Sequence, residues 1–134
     1  MMIVFPCVLE VIPEYIFNNK NPIVVGVKVL DGEVRRGTPI CVPSKDSIEL
    51  GVVTNIQFNN QDKDFGKKGE EIAISITPHQ NAQHYSYGRH FTNENKLFSK
   101  ITRKSIDAMK LFFKDDIVKW LDLFKKLKIL FDID

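Results

Sequence analysis

The sequence has few of the residues that build disulfide frameworks, metal sites or reactive thiols. Cys7 and Cys41 are its two cysteines, and they lie in separate apolar runs with no CxxC pair and no His/Cys cluster. This arrangement argues against a zinc site and against a disulfide-stapled fold. We therefore expect no metal site, and two reduced thiols in the core of an intracellular protein.

Targeting and membrane signals are also missing from the sequence. No apolar run approaches the roughly 18 residues that a membrane-spanning helix needs. Residues 1–13 lack the basic segment that opens a signal peptide. The expected location is therefore the cytoplasm, without membrane contact. No Gly-x-x-x-x-Gly-Lys-Ser/Thr motif occurs, so no phosphate-binding P-loop is predicted.

What is present is the composition of one globular domain. The 134 residues are 43% hydrophobic and 27% charged and include ten Phe, enough to bury a core without disulfides. The net charge is +2, but it is unevenly spread. Between Lys96 and Lys128 there are ten basic and four acidic residues, whereas the rest has nine basic and thirteen acidic residues. This asymmetry suggests that the two parts meet different partners.

Short β-branched and apolar runs dominate the first two-thirds of the sequence. They predict strands at 3–12, 23–30, 40–42, 50–58 and 72–77. Pro6 suggests an edge position or a bulge in the first strand, and Asp31-Gly32 predicts a tight hairpin after the second. The polar stretches between the runs predict turns or loops, at 15–21, 43–47 and 59–69. Short strands between Gly and Pro turns indicate a β-barrel or sandwich, which we assign to residues 1–92.

The remaining residues, 93–134, predict two helices packed on the barrel to give one compact domain. The preceding stretch 79–93 holds all three histidines and no aliphatic run, so we expect a loop there with one short edge strand near 85–91. Thr102 or Ser105 is predicted to cap the first helix, which ends near residue 113.

The second helix is predicted to start at the caps Asp115 and Asp116. Its main apolar set follows i, i+3, i+4, i+7 spacing and comprises Ile117, Trp120, Leu121, Phe124, Leu127 and Phe131. Further apolar residues lie off this stripe, namely Val118, Leu123, Ile129 and Leu130. The helix therefore carries more apolar surface than docking on a barrel requires.

Ordered motifs along the sequence resemble a family of translation factors. The segment 22–43, with Gly-Val, Leu-Asp-Gly and Arg-Gly-Thr-Pro in order, resembles the second-domain barrel of translational GTPases. The motifs CVPSKD at 41–46, YGRHF at 87–91 and SKITRKSIDAMK at 99–110 together resemble the C-terminal domain (domain IV) of the translation initiation factor 5B family, which includes bacterial initiation factor two. The resemblance extends over residues 3–131.

The resemblance implies a mainly β fold: a translational-GTPase domain-II-like barrel followed by two α-helices. It implies a monomeric, non-enzymatic binding module whose parent protein binds GTP and Mg²⁺ in an upstream domain, so this fragment needs no cofactor. Family members join ribosomal subunits during initiation. In them the barrel docks the acceptor end of initiator methionyl-tRNA, and the helical end with adjacent barrel surface takes the acidic, isoleucine-bearing C-terminal tail of initiation factor one-A.

The expected tRNA-contacting residues are basic and aromatic side chains on loops. Phosphates need Lys or Arg, and unpaired bases stack on aromatic rings. The candidates that satisfy these needs are Lys45, Tyr87, Arg89 and His90, although His90 and the neighbouring Phe91 are equally suited to local structural roles.

The bacterial aminoacyl pocket provides a further tRNA-binding candidate by resemblance. Its strands align with Val27 and with Glu71–Ile72–Ala73, and a basic residue aligns near Asn60. This chain keeps the acid at Glu71. It has Val27 and Ile72 in place of cysteines and no base at Asn60, so the bacterial pocket is not expected intact.

The expected tail-binding site lies on the basic helices. Apolar side chains provide a groove, and lysines attract an acidic peptide. The candidates are Lys110, Lys114, Lys119, Trp120, Phe124 and Lys128. The alternative is a docked helix with a solvated lysine face and Trp120 in the core.

Two other classes of function stay open at this point. One is catalysis by Cys7 or Cys41 with a histidine base from the 79–93 segment, although burial in apolar strands raises the pKa of a thiol and blunts its reactivity. The other is a barrel from another translational GTPase, or a generic RNA-binding barrel. Elongation-factor barrels normally continue into a further barrel, so the two amphipathic helices argue against the first of these.

Overall fold

A computed structural model describes residues 3–133, and Met1, Met2 and Asp134 lie outside the described residues. Within that range the strands are β1 Cys7–Asn19, β2 Ile23–Arg35, β3 Pro39–Val42, β4 Ile48–Phe58, β5 Gln61–Asp62, β6 Phe65–Lys67, β7 Glu71–Thr77 and β8 Leu97–Ser99. Antiparallel pairing follows the order β1-β8-β3-β4-β7-β2, and β2 pairs with β1 again. Six strands therefore close a barrel, as predicted.

Every second side chain of a barrel strand points inward, and these side chains fill the barrel. On β2, Val25, Val27 and Val29 are fully buried, whereas Val24 and Lys28 face outward. The same alternation on β7 buries Ile72, Ile74 and Ile76. Both strands thus bury one face inside the barrel, and their other face forms part of its outer surface.

The first strand is longer than predicted. It begins at Cys7 and runs through Pro13 to Asn19, so the predicted loop at 15–21 is wrong. The register shifts between Val11 and Ile16, where residues 12–15 form a bulge with no Cα partners on β2. Because a bulge leaves residues unpaired, Pro13 is accommodated there without the loss of a ladder hydrogen bond.

The predicted hairpin at Asp31-Gly32 is also wrong. β2 continues through both residues, and Glu33–Arg35 then pairs with β6. Gly32 has φ +73°, and a Cβ there would lie 1.9 Å from the carbonyl oxygen of Pro6. Glycine therefore serves here to bend one strand against a neighbouring backbone rather than to reverse the chain.

Three short strands were missed because their sequences are polar or short. β5 and β6 lie in the predicted loop 59–69, and β8 lies in the segment 93–134 assigned to helices. β8 fills the space between β1 and β3, so the barrel strands extend to Ser99. The predicted edge strand at 85–91 is reduced to one isolated bridge, between Tyr87 and Phe91.

The first helix, α1 Arg103–Phe112, starts as predicted. Thr102 accepts a hydrogen bond from the Ser105 backbone N–H, and the Ser105 hydroxyl oxygen accepts one from the Thr102 N–H. This reciprocal capping satisfies two N–H groups that a helix start leaves free.

The second predicted helix is broken into pieces. A short α2, Lys114–Ile117, and a 3₁₀ turn, Val118–Trp120, precede α3, Leu121–Leu130. Asp115 and Asp116 lie inside α2, so their predicted capping role is wrong. The tighter turn changes the phase of the apolar stripe, and Leu123 rather than Leu121 faces the barrel.

The helices pack on the outside of the barrel through a second apolar cluster. Its buried members are Val4, Phe5, Ile101, Ile106, Met109, Ile117, Leu123, Phe124 and Leu127. The Phe5 ring lies 5.0 Å from the Phe113 ring and 5.5 Å from the Trp120 ring, edge to face in both cases. Residues ahead of β1 therefore attach the helices to the barrel.

Candidate functional site

A trough of about 640 Å³ lies on the outer face of the barrel, over β1, β2 and β7 and beside the β4–β5 turn. We call it the outer trough. Gly26 and Ala73, Cα partners on adjacent strands, form its floor. Tyr15 covers Gly26, whereas the small side chain of Ala73 is partly exposed and leaves the sheet surface open beside it. The trough has the size of a small-molecule pocket, and its lining combines apolar and polar groups in similar measure.

Two aromatic residues of β1 form one wall of the outer trough. Tyr15 and Phe17 point to the same side, and both line the trough. Their rings are nearly parallel, with an interplanar angle of 17° and centroids 6.4 Å apart. A Cβ on Gly26 would lie 2.7 Å from Cβ of Tyr15, so glycine is what lets Tyr15 cross this strand. Sequence reasoning missed this wall, although alternating aromatics at 15 and 17 are a strand signal.

The opposite wall comes from the turn between β4 and β5. Asn59 and Asn60 have φ of +52° and +63° and connect the paired residues Phe58 and Gln61. This is a two-residue hairpin turn, and asparagine tolerates its left-handed conformation better than most residues. The turn places the exposed Phe58 ring and two side-chain amides at the rim.

Glu71 is the only charged residue among the described residues that line the outer trough. It is the first residue of β7, and it is exposed. Its Cα partner on β2 is Lys28, which is also exposed and lies outside the lining. The trough therefore offers an apolar floor and walls, amides on one rim, and one carboxylate that can accept hydrogen bonds from a cation.

The other predicted tRNA contacts lie outside this trough. The Ser86 backbone N–H donates to Nδ1 of His90 over 2.9 Å, and the Tyr85 ring meets the His90 ring edge to face at 5.1 Å. Tyr87 packs edge to face on the buried Phe91. Both predicted residues, His90 and Tyr87, thus have structural contacts in this turn.

Arg89 and Lys45 are both exposed, on different turns. Lys45 ends the 3₁₀ turn Pro43–Lys45. The Asn95 side-chain amide donates to Oγ of Ser44 over 3.0 Å, which joins that turn to the loop after Phe91. Of the five predicted tRNA contacts, Glu71 alone lines the outer trough.

A second concave surface lies between α3 and the barrel. Two cavities of about 430 and about 350 Å³ share Lys96, Phe98 and Leu130, and we call them together the helix–barrel groove. Leu123, Leu127 and Pro43 add apolar surface, and Lys126 adds a second lysine. Asp31, which is 3.9 Å from Lys68, and Glu94 also line it.

The predicted tail-binding residues do not line the helix–barrel groove. Lys110, Lys114 and Lys119 are exposed along α1, α2 and the 3₁₀ turn, and Lys119 lies 3.3 Å from Asp116. Trp120 is half-buried against Phe5.

The two predicted tail-binding residues that lie on α3 are also buried or partly buried. Phe124 is 4% exposed, and Lys128 is partly buried. Phe124 therefore attaches the helix to the barrel and is covered in this structure.

The cysteines have the environment expected from the sequence. Burial raises the pKa of both the Cys7 and the Cys41 thiol to about 12. Thiols held in this way stay protonated near neutral pH and are poor nucleophiles. Within residues 3–133 no group of three or more His, Cys, Asp or Glu side chains is arranged to hold a metal ion. Nor does that range contain a helix that is both long and apolar enough to span a bilayer.

Comparison with known proteins covers nearly the whole chain. The family model "Elongation factor Tu domain 4" matches residues 5–96. "Eukaryotic translation initiation factor 5B" of Rattus norvegicus is 46% identical over 132 residues, which is 97% of this chain and 11% of that protein. The Saccharomyces cerevisiae protein of the same name is 36% identical over 144 residues, 98% of this chain and 14% of that protein.

A solved structure has the same fold. It is the crystal structure of GDP-bound aIF5B from Aeropyrum pernix, with a TM-score of 0.76 and 25% sequence identity. The alignment covers 94% of this chain and 21% of that chain. The present chain thus spans a small part of the length of each of these relatives.

Proposed function

The chain belongs to the elongation factor Tu domain 4 family, as a domain of a translation initiation factor, and on that premise we propose that it docks the methionyl acceptor end of initiator tRNA in the outer trough. The domain acts on the ribosome, in the cytoplasm, during subunit joining. GTP and Mg²⁺ are bound elsewhere in the longer parent protein.

The lining of the outer trough carries this proposal. A methionyl ester has a flexible apolar side chain and a positively charged amino group. Ala73 leaves space for the side chain between the aromatic wall and Phe58. Glu71 provides the one carboxylate of the lining to accept hydrogen bonds from the amino group. Apolar surface with one placed charge is the usual composition of such a site.

The test is binding of an acceptor-stem minihelix that carries an amide-linked, non-hydrolysable methionine. Glu71→Gln should weaken this binding by about tenfold, because a charge-assisted hydrogen bond is lost. Ala73→Leu should weaken it as well by filling the floor of the trough. Glu49→Gln, at an exposed site on another part of the barrel, is the matched control. Unchanged affinity in both trough variants would move the methionyl group to another surface.

We further propose that the acidic, isoleucine-bearing tail of initiation factor one-A lies in the helix–barrel groove. Phe98, Leu130 and Pro43 provide apolar contacts for isoleucine side chains, and Lys96 and Lys126 provide cationic partners for carboxylates. A groove with apolar anchors suits isoleucine side chains, and its two lysines, beside Asp31 and Glu94, provide the contacts for an acidic peptide.

Two sets of charge reversals separate this groove from the exposed lysines of the helices. Lys96→Glu with Lys126→Glu should abolish most tail binding and its salt dependence. Lys110→Glu, Lys114→Glu and Lys119→Glu together should mainly slow association, because these residues do not line the groove. Calorimetric titration with the tail peptide at two salt concentrations measures both. If only the second set abolishes binding, the tail lies along the exposed helix face.

A generic RNA-binding barrel is the alternative to this proposal. It would bind methionylated and deacylated minihelices equally, with steep salt dependence. Preference for the methionylated form, lost in Glu71→Gln, supports the trough. Equal binding of the two forms supports the alternative.

A further inference from the structure

We propose that Tyr15 and Phe17 form a stacking platform for the terminal adenine base of the acceptor end, beside the methionyl site. This inference rests on the proposed function for the position of its ligand, since the adenosine that ends every tRNA bears the aminoacyl ester on its ribose. It assigns a base-binding role to two residues that the expected set of basic and aromatic loop residues did not include.

The exposure of the two rings is the first observation. The Phe17 side chain is 63% exposed and the Tyr15 side chain 52%, on the same side of one strand. Leaving two neighbouring aromatic rings in water gives up the stabilisation that their burial would provide. Their near-parallel geometry, with centroids 6.4 Å apart, lies within the range of offset stacking and leaves ring faces open. A base is a planar ligand for such a surface.

Paired residues hold the strand on which the two unpaired aromatic residues lie. Ile16 and Asn18, their strand neighbours, pair with Val25 and Val24 on β2. The Asn18 side-chain amide donates to the carbonyl oxygens of Lys20 and Pro22 over 2.9 and 2.6 Å, which closes the tip of the hairpin. Pairing of these neighbours limits the conformational entropy that the strand loses when a base stacks on the rings.

The position of the pair beside the proposed methionyl site indicates the nucleoside as its ligand. Both rings line the same trough as Glu71 and Ala73, so a methionyl group on the floor has its own nucleoside within reach of the wall. Stacking tolerates any base, because every base has a π face. The proposed pair therefore adds affinity for the nucleoside, and Glu71 adds affinity for the amino acid.

Two minihelix probes separate these contributions. Both carry amide-linked methionine on the last ribose, and one has adenine on that ribose whereas the other is abasic. Wild type, Phe17→Leu and Phe17→Trp are compared by titration, with melting curves to confirm folding. Leucine keeps an apolar side chain and removes the π face, whereas tryptophan restores one. Phe112→Leu, at a 53% exposed aromatic on α1, is the matched control.

We expect Phe17→Leu to weaken binding of the adenine probe between about fivefold and about 150-fold, the range that loss of one base stack gives. Phe17→Trp should restore it, Phe112→Leu should leave it unchanged, and the abasic probe should not respond to Phe17→Leu. Equal affinity of wild type and Phe17→Leu for the adenine probe overturns the platform, as does equal affinity of wild type for both probes.

Glu71→Gln distinguishes failure of the platform from failure of the methionyl site. If Glu71→Gln weakens both probes while Phe17→Leu weakens neither, the methionyl site stands and the platform is wrong. If Phe17→Leu alone has an effect, restricted to the adenine probe, the platform stands and the methionyl group lies elsewhere. If wild type binds neither probe, both proposals fail.

Discussion

Leu121 and Leu123 are two positions apart in the last helix and have opposite environments. Leu123 is 3% exposed and packs against the barrel, whereas Leu121 is 46% exposed. A continuous helix from Asp115 would bury Leu121 with Phe124. The 3₁₀ turn Val118–Trp120 has about three residues per turn instead of 3.6, and the stripe therefore changes phase before α3 begins.

This difference gives a matched pair of leucine substitutions. Leu123→Ala should lower the free energy of unfolding by about 2–5 kcal/mol, because it leaves a cavity at the helix–barrel contact. Leu121→Ala should change it by at most about 1 kcal/mol, since much of that side chain already meets water. Urea denaturation of both variants measures the two values. A larger loss for Leu121→Ala than for Leu123→Ala would mean that the helix keeps the phase predicted from the sequence.

Single residues also show how far the candidate site could be predicted. The sequence identified Glu71 because family resemblance aligns it with an aminoacyl pocket. Tyr15 and Phe17 were assigned to a loop, because Pro13 and the asparagines around them are usual in turns. Their role as a wall depends on the bulge at 12–15, which is formed with a partner strand and leaves no local sequence signal.

At the scale of elements, β2 shows that a turn signal can have another use. Asp-Gly is a strong hairpin pair in isolation. Here the N–H of Glu33 donates to the Pro6 carbonyl oxygen over 2.9 Å, so the chain on both sides of Gly32 is already paired. Tertiary pairing therefore overrides the local preference, and the glycine bends the strand.

Replacement of this glycine should be costly for two separable reasons. Gly32 and Gly37 both have positive φ, +73° and +92°, and either alanine variant should lose about 1–3 kcal/mol from backbone strain. A Cβ at Gly37 would have nothing within 4 Å, whereas one at Gly32 would strike the Pro6 carbonyl group. Gly32→Ala should therefore lose a further 1 kcal/mol or more, about the value of the displaced hydrogen bond.

Thermal and urea denaturation of the two variants measure this difference. Gly37→Ala serves as the control for strain alone. A Gly32→Ala variant no less stable than Gly37→Ala would show that the start of β1 moves aside without cost.

At the scale of the whole molecule, two strands connect two cores. Cys7 and Leu9 of β1 and Leu97 of β8 point into the barrel, whereas Val8 and Phe98 point into the cluster beneath the helices. Each of these strands therefore contributes to both apolar clusters. The helices are attached along strands that also close the barrel.

This shared attachment predicts a single unfolding transition. Trp120, the one tryptophan in the sequence, packs on Phe5 and reports on the helical cluster by fluorescence. Far-UV circular dichroism reports on the strands and helices together. The two signals should coincide across a urea titration, as expected for a small cooperative domain. Loss of Trp120 fluorescence ahead of the dichroism signal would show that the helices detach from an intact barrel.

The comparisons confirm the membership in the initiation factor 5B family that the sequence motifs indicated, the barrel with C-terminal helices, and the interpretation as a non-catalytic domain. These features follow from alternating apolar residues, helical spacing after residue 101 and ordered motifs, all of which are local patterns. Sequence alone was sufficient for them, because burial of one face of each strand or helix leaves a periodic record along the chain.

Tertiary structure alone decided the shape of the sites. The outer trough needs Gly26 beside Ala73, the bulge that brings Tyr15 across Gly26, and the turn at Asn59 and Asn60. The helix–barrel groove needs the phase change before α3 and a strand, β8, that is three residues long. Concave surfaces form between elements distant in sequence, and their geometry depends on strand pairing and packing that no single segment encodes.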